Sequence, residues 1–366
     1  MTAAADPSAS PSPHPTALDV LVIGGGQAGL AVGRFLLESG LRFVLIERNE
    51  RIGDSWRQRY DSLSLFTPRA YSHLPGLLLD GDPDGYPTRD EFAAYLEGYA
   101  AHFNIPVRLA TNVVRLERTG RSFVASFSDG TTVEARAVVV ASGAFQVPAI
   151  PALATRLSPA VKQLTPLTYR NPASLPSGLT LVVGDGATGR QIAEELVDSH
   201  RVVLATGKKR SLVPQRVLGR SIFWWLDRLG LIRVSSDGRL GRRLRARDVI
   251  PRRDLRDERL RNARVELVPR LTDLSATTAT FENGQSLEVD SIVWATGYHD
   301  DTSWVHVAEA VDSGGRFIES RGISPVPNLY FVGRPWQTSQ GSALVTGVGA
   351  DARAIVASMV GSPAGS

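Results

Sequence analysis

The sequence predicts an α/β protein made of two Rossmann-like dinucleotide-binding domains, the second inserted into the first. Two glycine fingerprints carry the prediction: Gly24-Gly-Gly26-Gln27-Ala28-Gly29 and Gly184-Asp-Gly186-Ala187-Thr188-Gly189. Each follows an apolar strand-like run (Val20 to Ile23; Leu181 to Val183) and opens a helix-like segment. One such pattern arises easily by chance. Two in the right context do not, and the landmarks that follow them also repeat. Ser122 to Phe127 runs into an Asp129-Gly130 turn, and the apolar run Ala137 to Val140 then ends at Ser142-Gly143. In the second half, Thr278 to Phe281 runs into Asn283-Gly284, and Asp290 to Ala295 ends at Thr296-Gly297. The step from turn to exit is equal in the two halves. Each unit therefore reads as strand, glycine turn, helix, strand, intervening segment, hairpin and exit strand.

This order sets the expected boundaries. Residues 1–16 are mostly Ala, Ser, Pro and Thr and read as a disordered tail, without the basic start and apolar run of a signal peptide. Residues 17–148 form the first part of one domain, 149–290 the inserted domain, and 291–366 the return. Asn328 to Gly333 reads as one more buried strand, and Ala343 to Met359 as a closing helix.

Composition removes several classes of chemistry. The 366-residue chain has no cysteine, which excludes disulfides, thiolate metal sites, cysteine nucleophiles and a redox-active Cys-x-x-Cys. The six histidines are scattered and suggest no metal site; His299 and His306 would lie about two turns apart if helical. No nucleophile elbow is present. No window approaches the ~18–20 consecutive apolar residues of a membrane span, and the expected location is the cytoplasm. Net charge is +4, with eleven arginines against four acids between Arg239 and Arg264. That stretch holds no aromatic residue, which disfavours nucleic acid. It reads as a solvated face, or as steering for an anionic cofactor or substrate. Ser221 to Ile232 is amphipathic and aromatic: a packed helix, a substrate entrance or a membrane-surface contact.

Charge assigns the two nucleotides. In the first unit Gly24 permits the tight turn, Gly26 lets backbone approach a pyrophosphate, and Gly29 lets the helix pack on the sheet. The strand from Arg42 ends in Glu47, followed by Arg48; a carboxylate there accepts hydrogen bonds from an adenosine ribose. FAD is expected here. The matching strand of the second unit, Arg201 to Thr206, has no acid, and Lys208, Lys209 and Arg210 follow. Thr206 and this basic cluster suit a 2′-phosphate, so NADPH is expected there. Asp185 inside the second loop opposes an anion unless it points away or pairs with Arg190.

From about Asp19 to Ala357 the chain resembles the class B flavin-dependent monooxygenases, which include flavin-containing monooxygenases and plant YUCCA-type enzymes. The match rests on both fingerprints, Glu47, Arg51-Ile-Gly-Asp-Ser55-Trp56-Arg, Tyr60 to Arg69, Tyr169-Arg-Asn-Pro172 and Ile292-Val-Trp-Ala-Thr296-Gly297-Tyr. The resemblance implies that NADPH reduces FAD and that the flavin then forms a C4a-hydroperoxide with O2. One oxygen atom would pass to a nucleophilic nitrogen or sulfur, or to a carbonyl, in a small-molecule substrate; Thr165 in place of the family's motif histidine favours N- or S-oxygenation over Baeyer–Villiger insertion. It assigns Ser55 and Trp56 to the flavin, and Phe66 and Thr67 to the position where many members carry a catalytic asparagine. Val114, Ser142, Gly143, Thr296 and Gly297 are assigned to the cofactor cradles, and Gly333, Gln340 and Ser342 to the flavin ring. His299, beside the second exit turn, is a further candidate. The chain departs from the family's Phe-x-Gly-x-x-x-His ahead of the second fingerprint, reading Pro159-Ala-Val161-Lys-Gln-Leu-Thr165. Two alternatives stay open: an NADPH-dependent flavin reductase or oxidase, and a non-catalytic flavoprotein that binds a partner. A homodimer is compatible with the sequence.

Overall fold

A computed structural model describes residues 18–207, 212–247, 250–251 and 255–361. The tail at 1–16 and the basic cluster Lys208, Lys209 and Arg210 lie outside the described residues.

In chain order the first sheet contains β1 (Leu18–Ile23), β2 (Phe43–Ile46), β3 (Val107–Arg108), β4 (Val113–Thr119), β5 (Ser122–Phe127) and β6 (Thr132–Val140). Its spatial order is Val305–His306, β4, β5, β6, β1, β2, β3, and Leu329–Phe331 pairs with β6 in parallel. β1 runs parallel to β2 and β6, whereas β4, β5 and β6 form an antiparallel piece. Gly130, at φ 82°, makes the expected turn between β5 and β6. The second sheet has the order Glu266–Val268, Arg201–Ala205, Leu179–Val183, Ser291–Trp294, Lys162–Leu164. Its strands are all parallel. The expected Asn283-Gly284 hairpin joins Thr278–Phe281 to Ser286–Glu288, with Gly284 at φ 82°.

Apolar residues fill both faces of the central parallel strands of both sheets, as parallel strands covered on two sides require. Val20 and Val22 on β1 face the core shared with the helices α1 (Gln27–Ser39), α3 (Arg89–His102) and α8 (Val345–Gly361). Leu21 and Ile23 face the opposite core, with Phe123, Phe127 and Phe331. The second sheet alternates in the same way: Leu181 and Trp294 sit in one core, Val182 and Val293 in the other. Trp294 is 1% exposed, and its indole N–H donates to Gln163 Oε1 at 3.0 Å. Each such large side chain contributes about 1.5–3 kcal/mol of burial.

The remaining helices are α2 (Asp54–Arg57), α4 (Ala187–Leu196), α5 (Ile222–Arg228), α6 (Arg239–Arg247) and α7 (Asp257–Asn262). The Ser221 to Ile232 segment is thus helical at its centre, and Phe223 is its buried anchor. Arg239, Arg242, Arg243 and Arg245 on α6 are exposed. Two sequence expectations need adjustment. Ser291–Trp294 is a strand of the second sheet, so we propose the return to the first sheet after Trp294 rather than at residue 291. His299 and His306 lie on two short strands, so the helical spacing considered for them does not apply. Among the described residues no helix is long and apolar enough to cross a membrane.

Candidate functional site

The two fingerprints fold into the same device. A Cβ on Gly24 would meet Ala141 O at 2.4 Å, and one on Gly184 would meet Ala295 O at 2.3 Å. Both glycines have positive φ, 112° and 106°. A Cβ on Gly29 would lie 1.9 Å from Gly24 O, and one on Gly189 would lie 1.9 Å from Gly184 O. These glycines are thus set by close backbone approach, with no room for a side chain. Gly26 and Gly186 are the N-caps of α1 and α4, and neither helix has a side-chain cap or an acid in its first turn. By contrast α3 has a Thr88–Glu91 capping box and α5 is capped by Ser221. The amides of Gln27, Ala28 and Gly29, and of Ala187, Thr188 and Gly189, are therefore left for an external anion. At Gly26 a Cβ would meet nothing within 4 Å, so the loop is open where a pyrophosphate would come. The residues fit a dinucleotide at each loop.

Around the first loop, Glu47 is 7% exposed. Its Oε2 accepts from Gly25 N at 2.8 Å, and its Oε1 accepts from Asn49 N at 2.9 Å. Arg48 and Ser55 are exposed. The Trp56 indole N–H points at Gln27 Oε1, 3.4 Å away, while its ring sits edge-on to Phe92. Ser142 Oγ and Gly143 O both accept from the Gln146 amide, at 2.9 and 2.7 Å. Gly333, at φ 87°, packs against Ala28. Val114 presents an exposed side chain from β4.

In the second unit, Arg190 does not face the open loop. It is 2% exposed, and its Nη1 donates to Leu255 O at 2.8 Å. Its Nη2 pairs with Asp257 at 2.6 Å and lies 3.6 Å from Asp185. The arginine ties the loop to the start of α7. Thr206 donates its hydroxyl to Val268 O at 3.0 Å, and Thr296 donates to Ala149 O at 2.6 Å. Gly297, at φ 98°, bends the exit turn.

The segment assigned to catalysis lies where the two units meet. Thr67 is 3% exposed and its hydroxyl is 2.6 Å from Ser72 Oγ, so it is committed within its own turn. Phe66 is half-buried against Phe223, which also touches Tyr71. The side-chain amide absent from 66–67 arrives from elsewhere: Gln215 Nε2 donates to Phe66 O at 2.8 Å, and Gln215 Oε1 is buried without a partner. Nearby, Ser342 Oγ accepts from Thr338 N and Ser339 N, at 3.0 Å each, and Gln340 Oε1 is buried without a partner. A cavity of about 430 Å³ opens here, lined by Tyr71, His73, Asp227, Ile232, Ser339 and Thr346 among others. Sequence reasoning missed Gln215, whose contact spans 149 positions of the chain. It also missed Tyr60, whose hydroxyl bonds Gln191 Oε1 on α4 at 2.5 Å. Burial pushes the Tyr60 phenol up, so it acts as a neutral donor. Thr165, in place of the motif histidine, is 8% exposed and closes a local turn with Thr168. His299 is exposed. Among the described residues no cluster of three or more His, Cys, Asp or Glu is arranged to hold a metal.

The pyridine nucleotide-disulphide oxidoreductase family matches this chain over residues 21–217. An uncharacterized CzcO-like oxidoreductase of Geobacillus kaustophilus is 43% identical, covering 93% of this chain and 97% of that protein. A probable indole-3-pyruvate monooxygenase, YUCCA9 of Arabidopsis thaliana, is 28% identical, covering 85% and 81%. Among solved structures, a flavin-containing monooxygenase from Stenotrophomonas maltophilia superposes with a TM-score of 0.79 at 26% identity, covering 94% of this chain and 98% of that one.

Proposed function

We propose N- or S-oxygenation of a small molecule for this chain, which belongs to the class B flavin-dependent monooxygenases within the pyridine nucleotide-disulphide oxidoreductase family. It is an FAD- and NADPH-dependent oxidoreductase. With no cysteine, the chain itself lacks the thiol pair for the disulfide chemistry in the family's name. The observation that carries the reading is the pair of matching, uncapped glycine loops, which gives one chain two dinucleotide cradles.

In this reading the α1 loop and Glu47 hold FAD, and the α4 loop holds NADPH. Bound FAD supplies the redox chemistry, accepting a hydride equivalent from NADPH and activating O2. The chain's own residues bind, orient and exclude water. Phe66, Tyr71 and Phe223 wall the approach, and the 430 Å³ cavity beside them suits a small substrate. Among the described residues Gln215 and Gln340 each bring a buried amide oxygen without a partner to this region. On this cavity Arg233 pairs with Asp227 and Arg321 pairs with Asp237, which fits a substrate without strong charge.

The test uses FAD-loaded protein, NADPH and ¹⁸O₂ with an alkyl aryl sulfide and a tertiary amine. The expected products are a sulfoxide or an N-oxide carrying one labelled atom. Recovery of all consumed NADPH as H2O2 with every such probe would favour the oxidase reading instead.

A further inference from the structure

Arg216–Val217 and Arg220–Ser221 pair as a tight hairpin, with Leu218 and Gly219 as its turn at φ 50° and 74°. Two positive φ values mark the type of hairpin turn in which Asn-Gly or Asp-Gly is the unstrained choice. Leucine at the first of these positions is strained, and burial does not offset the cost. Leu218 is 86% exposed, more than any other large hydrophobic among the described residues. A single exposed leucine is ordinary. One held at an unfavourable backbone angle is not accounted for by folding alone.

Its neighbours extend it into a patch. Trp225 on α5 donates its indole N–H to Val217 O at 3.0 Å, which lays the helix beside the hairpin. Leu229 follows Trp225 by one helical turn and is exposed. Trp224 stands edge-on to Trp225, and the Arg220 guanidinium lies 5.6 Å from its ring centre. The half-buried tryptophans thus join exposed Val217, Leu218 and Leu229 in one apolar surface, anchored from below by Phe223. Arginines rim it: Arg216, Arg220, Arg228 and Arg233 are all exposed. From Arg216 to Arg247 the sequence holds nine arginines against two acids, Asp227 and Asp237. Arg216 pairs with Asp84 at 3.5 Å and Arg233 with Asp227 at 3.2 Å, but exposed pairs of this kind are weak. α6 begins six residues beyond Arg233 and extends the charge with Arg239, Arg242, Arg243 and Arg245.

We propose that this face docks the protein on an anionic phospholipid surface. Leu218 and Leu229 enter the boundary between headgroups and acyl chains, and the two indoles lie at headgroup level. The arginine stems follow the apolar surface while their guanidinium groups meet lipid phosphates. The arginine excess selects an anionic surface over a neutral one. An exposed leucine at a hairpin tip suits a deformable lipid layer, whereas a nucleic acid offers it only charge and hydrated grooves. Asp227 and Arg233 also line the 430 Å³ cavity, so docking brings that cavity to the membrane surface. The contact itself does not depend on the oxygenation reading.

The test measures vesicle binding, not turnover. The chain has no cysteine, so Leu218→Cys creates a single labelling site. FAD-loaded full-length protein carrying an environment-sensitive fluorophore there is titrated with two kinds of vesicle. One is phosphatidylcholine alone; the other contains about one-third phosphatidylglycerol. The expected result is a blue shift with the anionic vesicles, little binding to the neutral ones, and release in high salt. The same label on Leu109→Cys, beside the edge strand β3, should stay in water. In unlabelled protein, Arg220→Gln with Arg228→Gln should weaken vesicle binding about ten- to thirtyfold, the worth of two charges near the surface. Leu218→Ser with Leu229→Ser should weaken it at least about tenfold. Flavin content and melting temperature are the folding controls. Folded, flavin-loaded wild type that ignores anionic vesicles, or binds neutral ones equally, would overturn the proposal, as would variants that bind like wild type. A dimer in light scattering that the leucine substitutions dissolve, without vesicle binding, would give the face to a second copy instead. Binding that leaves position 218 in water, to vesicles or to an oligonucleotide alike, would reduce the face to a polyanion contact and also overturn it.

Discussion

Replacing Gly189 by alanine isolates the second cradle from the first. The added Cβ would lie 1.9 Å from Gly184 O, 3.0 Å from Gly184 C and 3.2 Å from the Ala295 methyl. Two of these neighbours are backbone, so no side chain can swing aside. Relief to an ordinary carbon–oxygen contact requires α4 to retreat from the strand Leu179–Val183 by roughly an ångström, an overpacking cost of about 1–3 kcal/mol. The same retreat carries the first-turn amides of α4 off the position set for a pyrophosphate. An ångström of misplacement at such a site is worth on the order of a hundredfold. The protein should therefore keep its FAD, melt a few degrees lower (about 2–6 °C) and bind NADP⁺ about a hundredfold more weakly. Calorimetric titration of the flavin-loaded variant and a thermal melt measure both. Gly29→Ala is the matched control, because its Cβ would meet Gly24 O at the same 1.9 Å. It should lose flavin. A Gly189→Ala protein that binds NADP⁺ within about threefold of wild type would refute the reasoning.

Asp351 on α8 is 1% exposed; its Oδ1 accepts from Thr338 Oγ1 and its Oδ2 has no partner. Burial raises its pKa above the ordinary 3.8, against the lowering effect of Thr338 and Ser342. The folded state then holds a proton that the unfolded state has released, so stability falls as pH rises through 3.8 toward the raised value. Asp351→Asn lacks this slope, and its melting temperature relative to wild type should climb between about pH 4 and pH 7. A flat difference would count against the assignment. Gly98 lies on the exposed side of α3, and a Cβ there would meet nothing within 4 Å. Gly98→Ala should stabilise the protein by about 0.5–1 kcal/mol and leave both coenzyme affinities unchanged. A lower melting temperature would show that α3 needs the glycine.

What could be read from the chain was what local covalent geometry decides. Gly24, Gly29, Gly184 and Gly189 are fixed by backbone approaches within a few residues or to the neighbouring strand, so the pattern alone located both glycine turns. Gly130 and Gly284 marked hairpins for the same reason. Side-chain roles depended on partners that spacing does not reveal. Arg190 was expected as a partner for Asp185, yet its short contacts are to Asp257 and Leu255, more than sixty positions away, and Asp185 lies 3.6 Å from it. Thr67 looked like a hydroxyl available to a reacting group until Ser72 was found to hold it. Gln215 carried no signal at all, because its value lies in meeting Phe66 across the two units. Asp185 is the instructive case between these limits. Its misfit was visible as one acid in an anion loop, but the contact it makes with the strand end became visible only when the two units were compared. The first unit places its acid on the strand and keeps position 25 bare. The second leaves the strand bare and places its acid at 185, and either choice closes the same gap. A duplicated fold constrains the tie between loop and strand; it does not constrain which side supplies it.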